Sequence, residues 1–370
     1  MKWLPNHTDS TLHLPTFSPY TSGATTPRLQ HAMEHDISTG MHRYLHRIEV
    51  PYKAVSHRRL NFESRRPRIL RECLAEFTGV CLFVFPALAS VATYILHTNS
   101  ELGVSAYGSH FQTGCAFAIG VAAAIIICAP TSGGHFNPAI TLAMAFWQDF
   151  PWWKVPLYIM SQIMGAFFTG LMIVGVFWPE ISQLNHDFID AGKPLVASGA
   201  PASILCSFPD PHGQANLAYL FMIEFFADAF IGIAIWAALD PANPFIKPAG
   251  IPFVIGAAYG VIIWGFGSMG LSTNLARDLG TRIVAAIFWG REAFTYQSYA
   301  PIAILVNIPA TLLATAYYEF LLRDSMAIIS KGHTTCKDGN AALYRHMHKL
   351  GLVDEEHAVV IDTTGMKHTL

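Results

Sequence analysis

Hydrophobic positions gather into six long runs, at about residues 70–97, 111–130, 154–178, 217–239, 249–267 and 298–322. Each approaches the ~20 consecutive apolar residues that a helix needs to cross a bilayer, so the pattern predicts six membrane-spanning helices. Residues 1–68 are polar and rich in Ser, Thr, Pro and His, which predicts a disordered tail. The polar segment 324–370 holds no further span. One apolar stretch breaks the pattern. Residues 138–147 lie between the second and third runs, and about ten residues at ~1.5 Å rise make a rod of about 15 Å, half of a roughly 30 Å hydrocarbon core. Asn137 suits a helix N-cap and Pro138 the first helical position, where a missing N–H costs nothing. The stretch therefore predicts a capped half-helix. A second capped segment begins within Ser272-Thr-Asn-Leu-Ala-Arg-Asp-Leu-Gly280.

Composition agrees with lipid surroundings: 52% of the 370 residues are hydrophobic and 13% are charged, against about 25% charged in soluble domains. The net charge of −2 says nothing about nucleic acid, and with no basic patch interleaved with aromatics no nucleic-acid partner is expected. Six cysteines lack metal-ligand spacing and form no disulfide framework. No apolar segment near Met1 resembles a cleavable leader. Charge does set an orientation. Lys53, Arg58, Arg59, Arg65, Arg66, Arg68 and Arg71 precede the first run, and Arg323, Lys331, Lys337, Arg345 and Lys349 follow the last. The connection 98–110 has no Lys or Arg, and 179–216 has only Lys193. The positive-inside rule then puts both termini in the cytoplasm and the Pro-, Gly- and Asp-rich connection 179–216 outside. The Arg cluster read as topogenic could instead bind lipid head groups.

The spans divide three and three. Ala75-Glu-Phe-Thr-Gly-Val near the start of the first resembles Ile223-Glu-Phe-Phe-Ala-Asp near the start of the fourth, and Asn137 and Asn274 follow these glutamates at comparable distances. An odd number of spans per half inverts the second copy, a plan that membrane transport proteins share, with the site at the midplane. The domain reading is a cytoplasmic tail 1–68, a channel-like unit 69–323 (repeats 69–178 and 217–323) and a cytoplasmic tail 324–370. Two half-helices entering from opposite faces would meet N-terminus to N-terminus, each end carrying about half a positive charge and unpaired N–H groups. If the Asn137 and Asn274 carbonyl oxygens cap their own helices, their amide NH₂ groups are free to donate to a passing molecule. Irregular backbone over Thr131–His135 is tolerated at this depth only where it lines a cavity, so its carbonyls form an acceptor ladder.

Ser132-Gly-Gly-His-Phe-Asn-Pro-Ala-Ile-Thr141 and Asn274-Leu-Ala-Arg-Asp-Leu-Gly280 resemble the two signature loops of the major intrinsic proteins, the aquaporin and glycerol-facilitator family. The resemblance spans about residues 70–322 and is closest to fungal glycerol-channel members. It implies six tilted helices with two re-entrant half-helices in an inverted repeat, a pore in every protomer and a homotetramer in a membrane, the plasma membrane rather than an internal one. It also implies a role for each matching residue. Asn137, Pro138 and Ala139 and, opposite, Asn274, Leu275 and Ala276 form the paired loop motifs, with Leu275 where the family usually has proline. Arg277 is the charged corner of a constriction shared with Phe117, Leu271 and Ile263, with Ile262 as the alternative in the fifth span. Asp278 marks the glycerol-conducting branch and orients loop backbone, unless it merely pairs with Arg282 at the surface. Glu76 and Glu224 accept loop N–H groups. Gly133, Gly134, His135, Ser272 and Thr273 supply pore-lining backbone. Asp228 has no counterpart with an assigned role.

The resemblance thus implies a passive channel for glycerol, small uncharged polyols and water that excludes protons and ions, with no cofactor, no metal and no catalysis. Two alternatives stand beside it: a channel mainly for water, hydrogen peroxide or ammonia, and a coupled secondary transporter. Other motifs fall away. Gly265-Phe-Gly-Ser-Met-Gly270 fits a dinucleotide pattern but follows an apolar run too long for a strand. His31/His35 and His42/His46 have metal-binding spacing in a segment predicted to be disordered. Asn6-His-Thr8 is a glycosylation acceptor on the cytoplasmic side.

Overall fold

The computed structural model describes residues 27–45, 54–97, 108–209 and 216–353. Among the described residues, six helices are long and apolar enough to cross a membrane: Arg68–His97, His110–Ser132, Trp152–Val176, Leu217–Leu239, Pro248–Met269 and Ala300–Leu322. We number them spans one to six. Two further helices, Pro138–Trp147 and Leu275–Trp289, are the first and second half-helices. The packing repeats between halves. Span one lies against spans two and three, as span four lies against spans five and six. Each half-helix packs on the third span of the other half, the first on span six and the second on span three. That exchange locks the two halves together around their re-entrant loops.

Small residues permit the close approach on which such packing depends. Spans two and five meet at Gly256, where a Cβ would stand 2.2 Å from the Ala118 carbonyl oxygen. Backbone cannot withdraw as a flexible side chain would. Gly256→Ala is therefore expected to destabilise the detergent-solubilised protein by about 1–3 kcal/mol, the range for overpacking, read as a lowered melting temperature. Large apolar side chains face outward along the same helices: Ile119 is 70% exposed, Phe226 61% and Phe253 63%. This surface suits lipid rather than water.

Span six is not the single α-helix that its apolar run predicts. It comprises Ala300–Leu305 and Asn307–Tyr317, followed by a π turn over Tyr318–Leu322. Pro309 lacks the N–H that would bond the Leu305 carbonyl, so the ladder is interrupted at that point. The connection between spans three and four, read from sequence only as Pro-, Gly- and Asp-rich, has structure of its own. It holds a helix, Trp178–Asp190, and a short 3₁₀ turn, Pro201–Ile204. Val196, Ala200, Ala202, Ile204, Leu205, Cys206 and Phe208 are buried, so the connection folds back into the bundle.

The chain divides into two compact units, Met1–Arg65 and Arg66–Leu370. The first, expected to be disordered, contains helices Pro27–Leu45 and His57–Arg65 among its described residues. Good helix formers such as Ala32, Met33 and Glu34 and an Arg59–Glu63 pair at 2.6 Å, one helical turn apart, favour them locally. No residue of His57–Arg65 is buried. His31 and His35 are exposed on the first of these helices, whereas His46 and Asn6–Thr8 lie outside the described residues. After span six, helices Ser325–Ser330 and Gly339–Lys349 follow. Ile328 is buried, and Lys331 Nζ donates to the Ala242 carbonyl at 2.6 Å, so this segment packs on the bundle.

Candidate functional site

The two half-helices begin at Asn137 and Asn274, both extended caps. Asn137 Oδ1 accepts from Ala139 N at 3.0 Å, and Asn274 Oδ1 accepts from Arg277 N at 3.0 Å. Each Nδ2 reaches across to the other loop: Asn137 donates to the Thr273 carbonyl at 3.2 Å and Asn274 to the Phe136 carbonyl at 2.9 Å. The sequence-based picture of wholly free amides is therefore corrected. One N–H of each is engaged, and the other remains to donate. Phe136 and Thr273, immediately before the caps, both have left-handed backbone, at φ 50 and φ 58. For side chains of this size such a conformation is costly and persists only where its surroundings enforce it.

Glu76 and Glu224 provide that enforcement. Glu76, fully buried, accepts from His135 N at 3.1 Å, Phe136 N at 2.8 Å and Ser132 Oγ at 2.6 Å. Glu224 accepts from Ser272 N at 3.0 Å and Thr273 N at 2.6 Å. Each carboxylate thus holds the residue in left-handed conformation and the one before it. Glycine completes the first loop, since a Cβ on Gly79 would sit 2.0 Å from the Phe136 ring. Two supports, one in the third span of each half, were not singled out in the sequence. Gln162 donates to Glu76 at 2.7 Å and to Thr141 Oγ1 at 3.0 Å. Asn307 donates to the Thr273 carbonyl at 3.1 Å. A polar amide inside an apolar run was their available signal. Asp228, one turn beyond Glu224, is also buried, yet among the described residues neither carboxylate oxygen meets a donor in hydrogen-bond geometry.

Two cavities flank this junction. One, of about 250 Å³, is lined by Gly133, Gly134, His135, Phe136 and Asn274 with Val121, Ile140 and Tyr259. His135 Nδ1 lies 3.3 Å from Thr141 Oγ1, and its ring packs on Phe150 and Tyr158. The other, of about 450 Å³, brings together Phe117, Ile263, Leu271 and Arg277 with Thr113 and Ser207. Ile262 is buried in the apolar core instead. Pro138, Ala139, Leu275 and Ala276 are buried at the half-helix starts. Leu275 has the N–H that Pro138 lacks. The two caps also differ, with the Asn137 oxygen on the second helical residue and the Asn274 oxygen on the third.

Asp278 pairs with Arg282 through contacts of 2.6–2.8 Å, and the two are 0% and 1% exposed. The surface pair considered from sequence is therefore a buried one. Arg282 donates onward to the Ala293 carbonyl and the Ser207 carbonyl, each at 2.7 Å, with its guanidinium 5.0 Å from the Phe208 ring centroid. Residues 206–208 of the third connection thus belong to the site, although they were read as loop. An apolar segment, Ala202-Ser-Ile-Leu-Cys-Ser-Phe208, inside a Pro- and Gly-rich connection was the signal.

Six spans in two inverted halves, with capped half-helices meeting end to end between two cavities, define a multi-pass membrane channel. The chain belongs to the major intrinsic protein family, whose model matches residues 63–317. Among its relatives, aquaporin-3 of Laccaria bicolor is 38% identical over 278 residues, covering 74% of this chain and 83% of that one. Aquaglyceroporin-2 of Rhizophagus irregularis is 31% identical over 255 residues, covering 68% and 77%. The fold matches the X-ray structure of the aquaglyceroporin from Plasmodium falciparum with a TM-score of 0.58 at 20% identity, over 70% of this chain and 99% of that chain. Membership makes the protein a passive channel for water or small solutes.

Proposed function

We propose that the channel conducts glycerol and other small uncharged polyols together with water, and rejects protons and ions. The observation that carries this reading is the single cavity that Arg277 lines together with Phe117, Ile263 and Leu271. A polyol offers hydroxyls along one side and a carbon backbone along the other. Guanidinium N–H groups suit the first and an aromatic and aliphatic wall suits the second. Further along, the free N–H groups of Asn137 and Asn274 donate, and the carbonyls of Gly133, Gly134 and His135 accept. The two helix N-termini and Arg277 concentrate positive potential on the path, which disfavours hydronium and metal cations.

In proteoliposomes under a glycerol gradient, the purified protein is expected to raise glycerol flux well above that of empty vesicles, without proton leak. Glycerol flux equal to empty vesicles sinks the reading. A second reading, conduction mainly of water, hydrogen peroxide or ammonia, draws on Leu275, a buried aliphatic side chain beside Asn274 at the position that Pro138 holds in the first half-helix. Water and glycerol rates in the same vesicles separate the two. A gradient-coupled transporter would need uphill accumulation driven by protons. The charge bias places both tails, 1–68 and 324–370, in the cytoplasm around the channel domain 69–323. A homotetramer in the plasma membrane is the assembly and location that family membership supports.

A further inference from the structure

We propose that Ser207, in the connection between spans three and four, is a positioning residue that fixes the Arg277 guanidinium and thereby takes part in choosing the solute. This rests on the reading of the Arg277 cavity as the selective point of the channel. Arg277 is 5% exposed and lines that cavity. Its Nη1 donates to Ser207 Oγ at 3.3 Å, while its Nε has no hydrogen-bond partner among the described residues. A buried guanidinium held by so few partners can rotate, and its rotation decides which N–H groups face the cavity. The Ser207 hydroxyl limits that freedom from two directions, because it accepts from Arg277 and donates to the Leu271 carbonyl. Arg277 and Leu271 both line the cavity, so one hydroxyl couples them.

Ser207 is itself held in place. Its carbonyl accepts from Arg282 Nη2 at 2.7 Å, and Arg282 is clamped by Asp278. Cys206 and Phe208 on either side are buried, and the Phe208 carbonyl lies against Gly270, where a Cβ would come within 2.5 Å of it. The third connection is thus anchored on both sides of a single hydroxyl that points at Arg277. A residue serving packing alone would have no need of an oxygen at this point.

The test compares wild type, Ser207→Ala and Ser207→Thr in proteoliposomes, measuring water and glycerol permeability per inserted molecule. Ser207→Ala is expected to lower the glycerol-to-water ratio by roughly three- to tenfold, the scale of one ordinary net hydrogen bond, while water flux persists. Ser207→Thr, which keeps the hydroxyl, is expected to retain the wild-type ratio. An unchanged ratio in Ser207→Ala, or a Ser207→Thr variant that behaves like it, overturns the proposal. If the alanine variant is not recovered from membranes, Ser207→Cys replaces it, since a thiol keeps the volume with a weak donor and acceptor. A wild type that passes water but no glycerol sinks the polyol reading alone. The ratio of hydrogen peroxide to water must then shift in Ser207→Ala, and no shift overturns the inference.

Discussion

Asp278→Ala is expected to cost about 3–5 kcal/mol of stability, the range for stripping one partner from a buried ion pair. The Arg282 side chain is 1% exposed and that of Asp278 0%, so neither charge can find water after the other is removed. The remaining partners of Arg282, the carbonyls of Ala293 and Ser207, carry only partial charge. The guanidinium would therefore either stay stranded or drag the third connection out of the bundle to reach solvent. Both routes disturb residues 206–208 beside Arg277. The double variant Asp278→Leu, Arg282→Met removes the stranded charge and fills similar volume, and should recover most of the loss. Thermal unfolding of the detergent-solubilised proteins reads the comparison. A single variant as stable as wild type, or a double variant no better than the single, would contradict it. Solute flux should follow a different order, because the double variant still lacks the bond that holds the Ser207 carbonyl.

The parts of this architecture written as one-dimensional patterns are legible in the sequence alone. The spans and the first half-helix follow from run length and from the Asn137-Pro138 start, and the half-helix occupies Pro138–Trp147. Both are consequences of local periodicity and capping, which need no knowledge of distant residues. Placing Phe117, Leu271 and Arg277 around one cavity needed the family resemblance, because they lie in different elements. What stayed hidden is what distant contacts decide. Ser207 belongs to a connection whose Pro and Gly content reads as loop, and only the return of Leu205, Cys206 and Phe208 into the core brings its hydroxyl to Arg277. The break in span six has a local cause in Pro309, yet its consequence, Asn307 facing the Thr273 carbonyl, depends on the other half-helix. The free amides assigned to Asn137 and Asn274 failed for the same reason. Their carbonyl partners, Thr273 and Phe136, are supplied by the opposite repeat.

That reciprocal wiring makes Glu76 the other sensitive point. Glu76→Leu fills the space but leaves the His135 and Phe136 N–H groups without an acceptor, at about 1–3 kcal/mol for each stranded group and roughly 2–6 kcal/mol together. Ser132 and Gln162 each lose one hydrogen bond as well. The left-handed backbone at Phe136 is then no longer imposed. Once Phe136 turns, its carbonyl stops accepting from Asn274, so an alteration in span one reaches the cap of the second half-helix. Flux per inserted molecule should therefore fall further than the stability loss alone predicts, and Glu76→Gln, which keeps one acceptor oxygen, should lie between Glu76→Leu and wild type in both respects. Stopped-flow swelling normalised to protein per vesicle, paired with melting temperatures, separates the two effects. Wild-type flux from Glu76→Leu would mean that the first loop keeps its shape without the carboxylate, and that the left-handed turn at Phe136 is held by the packing of its ring against Gly79.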